Sequence, residues 1–255
     1  MLEIFIRDLY DEVMWNGVHF DTNTVVPAWA MALYALVALV LFAYGWKKHL
    51  LSKLSTVDFV YVGLLSSLLV IWNFFLAPLI PSVTALTSWF YYPDIGEVVI
   101  LLLVAALIGK PGSVTITVVV YDLLSDMFHY GFGGEPFWLL QEVLAKAVLL
   151  DLYLLLRGRF FATNVLGTST EKEGELRLRT VPGLFLVDSV VGGLVVALDY
   201  PVFYRGFFAT FVEGISYTSS YVLVTSLVSI AGGVVMGLLA APLVIYVRKA
   251  LTGIF

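Results

Sequence analysis

The run VVPAWAMALYALVALVLFAYGW at 25–46 has no charged side chain, and apolar runs of comparable length recur along the 255 residues. An uninterrupted apolar stretch of about 20 residues is what a helix needs to cross ~30 Å of hydrocarbon at 1.5 Å per residue. A spanning barrel would show strands of about ten residues with period-two alternation, and no such pattern is present. The chain therefore reads as all-α and polytopic. Its composition agrees: 60% of residues are hydrophobic and only 13% are charged, outside the range of soluble domains. The expected location is the cell (plasma) membrane, in a multi-pass arrangement within the lipid bilayer.

Hydropathy places seven transmembrane helices at roughly 25–46, 57–80, 94–109, 112–130, 136–157, 181–200 and 219–247. Basic residues test this division. Lys47, Lys48, Lys53, Lys110, Arg157, Arg159, Lys172, Arg177, Arg179, Arg248 and Lys249 all fall on one side, and they are eleven of the 14 in the chain. The excess of Lys and Arg on the cytoplasmic side of membrane proteins then predicts the N-terminus out and the C-terminus in. Residues 1–24 are acidic and amphipathic, without the basic start of a cleaved signal, so they read as a retained extracellular segment. The polar stretch 158–180 reads as a cytoplasmic loop, and the aromatic stretches 81–93 and 201–218 as outer loops.

The polar residues inside these spans are concentrated. Measured from Lys110 by helical rise, Asp122, Asp126 and His129 lie about 18, 24 and 28 Å deep, on one face. Glu142 and Lys146 lie about 9 and 15 Å below Pro136 on the next helix, again four apart. Glu97, Trp72, Asn73, Glu213 and Tyr217 reach the same outer level. Charges in hydrocarbon are costly and ordinarily face a protein interior or a wet cavity. One reading is structural, with Glu142 paired to Lys146 and Asp126 to His129. The other is a ligand pocket, closed by the aromatic loops, in which Glu97, Asp122, Asp126, His129, Glu142 and Lys146 hold polar edges. Trp72, Trp89, Tyr92, Trp138 and Tyr217, with Asn73, would then supply stacking faces and hydrogen bonds. Asp151 and Asp188 lie nearer the cytoplasm and read as packing residues, whereas Asp199 ends its span and reads as solvated. Small residues four apart, Gly63 with Ser67 and Gly233 with Gly237, allow close helix contact, either inside the protein or with another subunit.

Several chemistries find no residues to carry them. Cysteine is absent and histidine occurs three times, at His19, His49 and His129, so neither thiolate sites nor an HExxH metal site can be built. There is no GxSxG elbow and no GxxxxGK[ST] loop. GKPGS at 109–113 reads as a tight turn between helices. A net charge of −5 and the lack of a basic stripe leave no nucleic-acid surface. No cofactor and no enzymatic activity are expected.

The motifs IGKPGS (108–113), YDLLSDMFHYGFGG (121–134), the polar pair followed by Arg157 and Arg159, and ALDYPVFYRG (197–206) resemble the substrate-binding S components of energy-coupling-factor (ECF) transporters. The similarity is to the YkoE-like branch associated with thiamine or its hydroxymethylpyrimidine precursor. It implies a six-helix core, here 57–247, preceded by an extra helix at 25–46. It further implies a vitamin-like ligand in an outward-facing pocket, a transmembrane coupling subunit docked near Gly63 and Ser67, and two cytoplasmic ATPases. Alternatives from other classes are a proton-coupled carrier relaying through Asp122, Asp126, His129 and Glu142, and an intramembrane acid/base enzyme.

Overall fold

Backbone polar groups find no water in hydrocarbon, so a spanning segment must satisfy them within itself, and the described residues, almost entirely helical, are compatible with that demand. The computed structural model describes residues 23–47, 54–81, 94–130, 137–157 and 184–252, with no strand among them. Most of 1–24, the segment 82–93 with Trp89 and Tyr92, the 158–180 loop and the His129 side chain lie outside this description. The described helices are α1 (Ala28–Lys47), α2 (Thr56–Ile71, prolonged to Leu79), α3 (Ile95–Leu107) and α4 (Ser113–Ser125, prolonged to Tyr130). They continue with α5 (Phe137–Glu142, prolonged to Arg157), α6 (Leu184–Leu198, prolonged to Glu213) and α7 (Ser219–Thr252). Four segments among the described residues are long and apolar enough to cross a membrane: Ala28–Gly45, Thr56–Leu79, Phe185–Glu213 and Ser219–Arg248.

Helix α3 is the axis of the bundle. Apart from Glu97 in its first turn it is apolar all round, and Val98, Leu101, Leu102, Val104, Ala105 and Ala106 are fully buried, as expected of a helix enclosed by others. Its 13 residues span only about 20 Å, which is tolerable because its ends meet protein. The outermost side chains are oily instead: Leu36, Leu39, Leu64, Phe75, Leu239 and Tyr246 are all exposed, a surface suited to lipid rather than water.

Polar contacts fix the end of the bundle that carries Lys110. Ser55 and Asp58 form a reciprocal capping box at the start of α2, and Asp58 also takes the Lys110 ammonium. The GKPGS turn runs through Gly109 and Gly112 at φ 62° and 93°, and Gly112 offers α4 no side-chain cap. Asp151 of α5 provides one from across the bundle, accepting from the backbone N–H of Val114 (3.2 Å) and Thr115 (2.7 Å) and from the Thr115 hydroxyl (2.6 Å). A carboxylate at a helix N-terminus satisfies its free donors and complements its dipole. Asp188 likewise accepts from Tyr153 (2.8 Å) and Arg157 Nε (3.2 Å). Both acids have the structural role expected of them.

The two small-residue pairs behave differently. Gly233 and Gly237 of α7 lie against Ser189 and Gly193 of α6 so closely that a Cβ on Gly193 would meet the Gly233 carbonyl oxygen at 2.0 Å. Gly63 has no atom within 4 Å of where its Cβ would be, and Ser67 turns its hydroxyl back onto the Gly63 carbonyl (2.8 Å). Gly63→Ala is therefore expected to leave the monomer intact and to raise its stability by about 0.5–1 kcal/mol through helix propensity. A fall in the thermal midpoint in detergent would show that this face is packed.

One correction concerns 201–218. Its first part is no loop: α6 continues as helix to Glu213 and ends at Gly214, at φ 73°. Aromatic and polar content made it read as a loop, yet Tyr204 is buried, and Phe203, Phe207 and Phe208 are buried against α1 and α5 in a second apolar cluster with Met31, Ala38, Leu144 and Val148.

Candidate functional site

Four helices depart from regular winding where the intramembrane polar residues were expected. α2 widens to π-type winding at Trp72–Leu76, α4 at Asp126–Tyr130, α5 at Val143–Ala147 and α6 over Asp199–Glu213. Such turns are rare and are frequent at functional sites. They also release backbone carbonyls from the regular ladder, and the Tyr34 hydroxyl of α1 donates to one of this region, that of Leu144 (2.7 Å).

The centre of the site is Lys146. Its ammonium lies 2.7 Å from Glu97 Oε1, 2.6 Å from Glu142 Oε2 and 3.0 Å from Asp199 Oδ2. Three carboxylates from α3, α5 and α6 thus converge on one ammonium. Glu97, Lys146 and Asp199 are buried, while Glu142 keeps 21% of its side-chain surface. Gln141 Nε2 donates to the other Asp199 oxygen (2.7 Å), which fixes that carboxylate toward the lysine. Asp94, just before α3, lies near enough to feel Glu97, Lys146, Asp199 and Glu142.

Around this centre the neighbours follow in order. Tyr121 of α4 feels the charges of Glu142, Lys146 and Glu97, and its hydroxyl accepts from Asn73 Nδ2 (2.8 Å). Trp72 packs against Gly96, where a Cβ would come within 1.9 Å of the indole, so glycine next to Glu97 is what admits the ring. Trp138, one turn from Glu142, meets Tyr204 with ring centres 6.1 Å apart.

Of the residues expected to form a site, the structure brings together Glu97, Glu142 and Lys146, with Trp72, Asn73 and Trp138 nearby. The Glu142–Lys146 ion pair is the one anticipated by the structural reading. Asp122 and Asp126 are buried on α4 but are not ion-pair partners of Lys146, and Tyr217 lies with Tyr221 beside Arg205. Asp199 requires correction: it is buried at 7% exposure and ion-paired, because the helix does not end there. Its neighbour Tyr200 and the following Pro201 imitate a span boundary in hydropathy. Gln141 and Arg205 were also missed; a carboxamide beside a glutamate in an apolar run was the available signal for the former.

Charge balance decides what the centre can do. Three carboxylates face one ammonium, and Asp94 adds a fourth nearby, so full ionisation would leave a surplus of at least two negative charges in a poorly solvated place. Removing ions from water costs several kcal/mol each unless they are paired. The surplus is therefore matched by bound protons or by an additional cation. Compared with protein-family models, curated proteins and solved structures, the chain matches none.

Proposed function

We propose that this protein is a seven-helix membrane protein, N-terminus out and C-terminus in, that captures a small cationic vitamin-like molecule for import. It works as an ECF-type S component of the thiamine or hydroxymethylpyrimidine branch. The observation that carries the reading is the surplus of buried carboxylate around Lys146. A thiazolium ring bears a fixed positive charge and an aminopyrimidine offers N–H donors, which are the groups a surplus of carboxylates would attract. Lys146 acts as the resident counter-ion of the unliganded state. An arriving cation takes over part of the carboxylate set, with Trp72 and Trp138 available as stacking surfaces and Asn73 and Gln141 as amide partners. The chain has no nucleotide motif, so a transmembrane coupling subunit and two cytoplasmic ATPases supply the energy, and Gly63 and Ser67 offer the open surface for that contact.

Purified protein is expected to show saturable tryptophan quenching with thiamine or hydroxymethylpyrimidine, lost on Glu142→Ala while the thermal midpoint stays within a few degrees. An unchanged spectrum across a broad vitamin panel defeats the reading. The same charge surplus favours one other function, a proton-coupled carrier in which the extra carboxylates hold the protons. Uptake into proteoliposomes driven by a pH gradient, with no ATPase present, separates the two.

A further inference from the structure

Arg205 occupies an unusual position in the widened part of α6. Among the described residues it has no carboxylate partner, and its Nε, although buried, has no hydrogen-bond partner. Aromatic faces surround it instead. The guanidinium carbon stands 4.4 Å from the ring centre of Tyr200, 5.2 Å from that of Tyr221 and 6.0 Å from that of Tyr217. Tyr217 and Tyr221 lie nearly parallel, at 12°. Tyr200 is backed by Tyr204 at 4.7 Å, and the Tyr204 hydroxyl donates to Glu213 (3.0 Å), which braces that wall of the cage.

Tyrosine faces are electron-rich and attract cations within about 6 Å, and groups of such rings recognise organic ammonium ions. Two walls of this cage are open to the surroundings, since Tyr200 is 39% and Tyr221 45% exposed. Arg205 also differs from Lys146 in what its departure leaves behind. Withdrawing Lys146 strands three acids, whereas a guanidinium that among the described residues meets only ring faces breaks no ion pair with any of them when it swings out. Asp199, a member of the Lys146 cluster, immediately precedes Tyr200 in the chain, so the cage adjoins the acidic centre.

We infer that Tyr200, Tyr217 and Tyr221 form a second binding site, specific for organic cations such as alkylammonium or aromatic iminium groups. Arg205 fills it in the unliganded protein as a built-in surrogate. This site stands apart from the vitamin-capture reading, because its chemistry is aromatic rather than acidic. The cation is either a soluble molecule or the choline headgroup of a lipid.

Choline chloride, titrated calorimetrically against sodium chloride controls into full-length protein in phosphatidylglycerol nanodiscs, tests it. Arg205→Gln is expected to bind choline at least tenfold more tightly than the native chain, and adding Tyr221→Ala is expected to abolish that gain. Arg205→Ala provides a second route to the same comparison should the glutamine variant fold poorly. No gain in either variant, or a gain that survives Tyr221→Ala, overturns the proposal. Glu142→Gln on the Arg205→Gln background is expected to leave choline binding unchanged; its loss assigns the cation to the acidic centre and also overturns the cage. Weaker binding of soluble choline in phosphatidylcholine nanodiscs supports the cage with a lipid headgroup as occupant, and equal binding supports it with a soluble cation.

Discussion

Lys146→Met is expected to destabilise the protein by about 3–5 kcal/mol, the usual consequence of leaving buried charge without its partner. The size follows from the geometry, because one ammonium serves Glu97, Glu142 and Asp199 at 2.7, 2.6 and 3.0 Å. For a chain of this size such a loss corresponds to a midpoint roughly 10 °C lower in a thermal melt in detergent. Neutralising the acids should restore much of it: Lys146→Met combined with Glu97→Gln, Glu142→Gln and Asp199→Asn is expected to melt well above Lys146→Met alone. Lys146→Arg is not a conservative test, since a planar fork cannot reproduce the three-way contact of a compact ammonium. A Lys146→Met midpoint within about 2 °C of the native value would show that the carboxylates do not depend on this lysine, and would remove the charge argument on which ligand capture rests.

The second large effect is expected at the α6–α7 contact. A Cβ on Gly237 would stand 2.0 Å from the Ser189 carbonyl oxygen, so Gly237→Leu must push the two helices apart. Overpacking a core typically costs ~1–3 kcal/mol, and this position should exceed that range because the obstructing atom belongs to a backbone that cannot rotate away. Helix association in lipid depends on close packing rather than on apolar burial, so the separated pair gains no compensating contact. The expected outcome is a large fall in monodisperse protein after detergent extraction. Ser189→Gly is expected not to rescue it, since the clash is with main chain; rescue would mean that the side chain sets the spacing.

Positions that announced themselves in sequence did so through local periodicity. Glu142 and Lys146 are four residues apart on one helix, so their pairing needed no knowledge of the fold. Gly233 and Gly237 declared a close contact in the same way, although their partners Ser189 and Gly193 did not. Contacts between residues distant in sequence escaped because hydropathy cannot register them, even where, as for Glu97, the residue itself was a candidate. Glu97 and Asp199 meet the same lysine from separate helices. Asp199 was moreover disguised by the aromatic, proline-containing stretch after it, which resembles an exit from the membrane until Phe207 and Phe208 are seen packed inside. Widened turns are equally invisible in a linear reading, since tertiary contacts and not residue type decide where a helix loosens. The cap that Asp151 provides for α4 belongs with these: GKPGS was legible as a tight turn, but the carboxylate from α5 that caps the helix after it was not.

Helix α1 looks like an accessory by its place in the chain, yet its Tyr34 hydroxyl satisfies the Leu144 carbonyl and its ring meets Phe203 edge-on at 5.7 Å. Upstream of it, the Val26 amide donates to the Gly206 carbonyl (2.8 Å). A truncated protein beginning near residue 54 would leave that Leu144 oxygen without this donor, at a penalty of about 1–3 kcal/mol, and would strip the cover from Phe203 and Phe207. The leading helix is therefore a wall of the molecule rather than an ornament upon it.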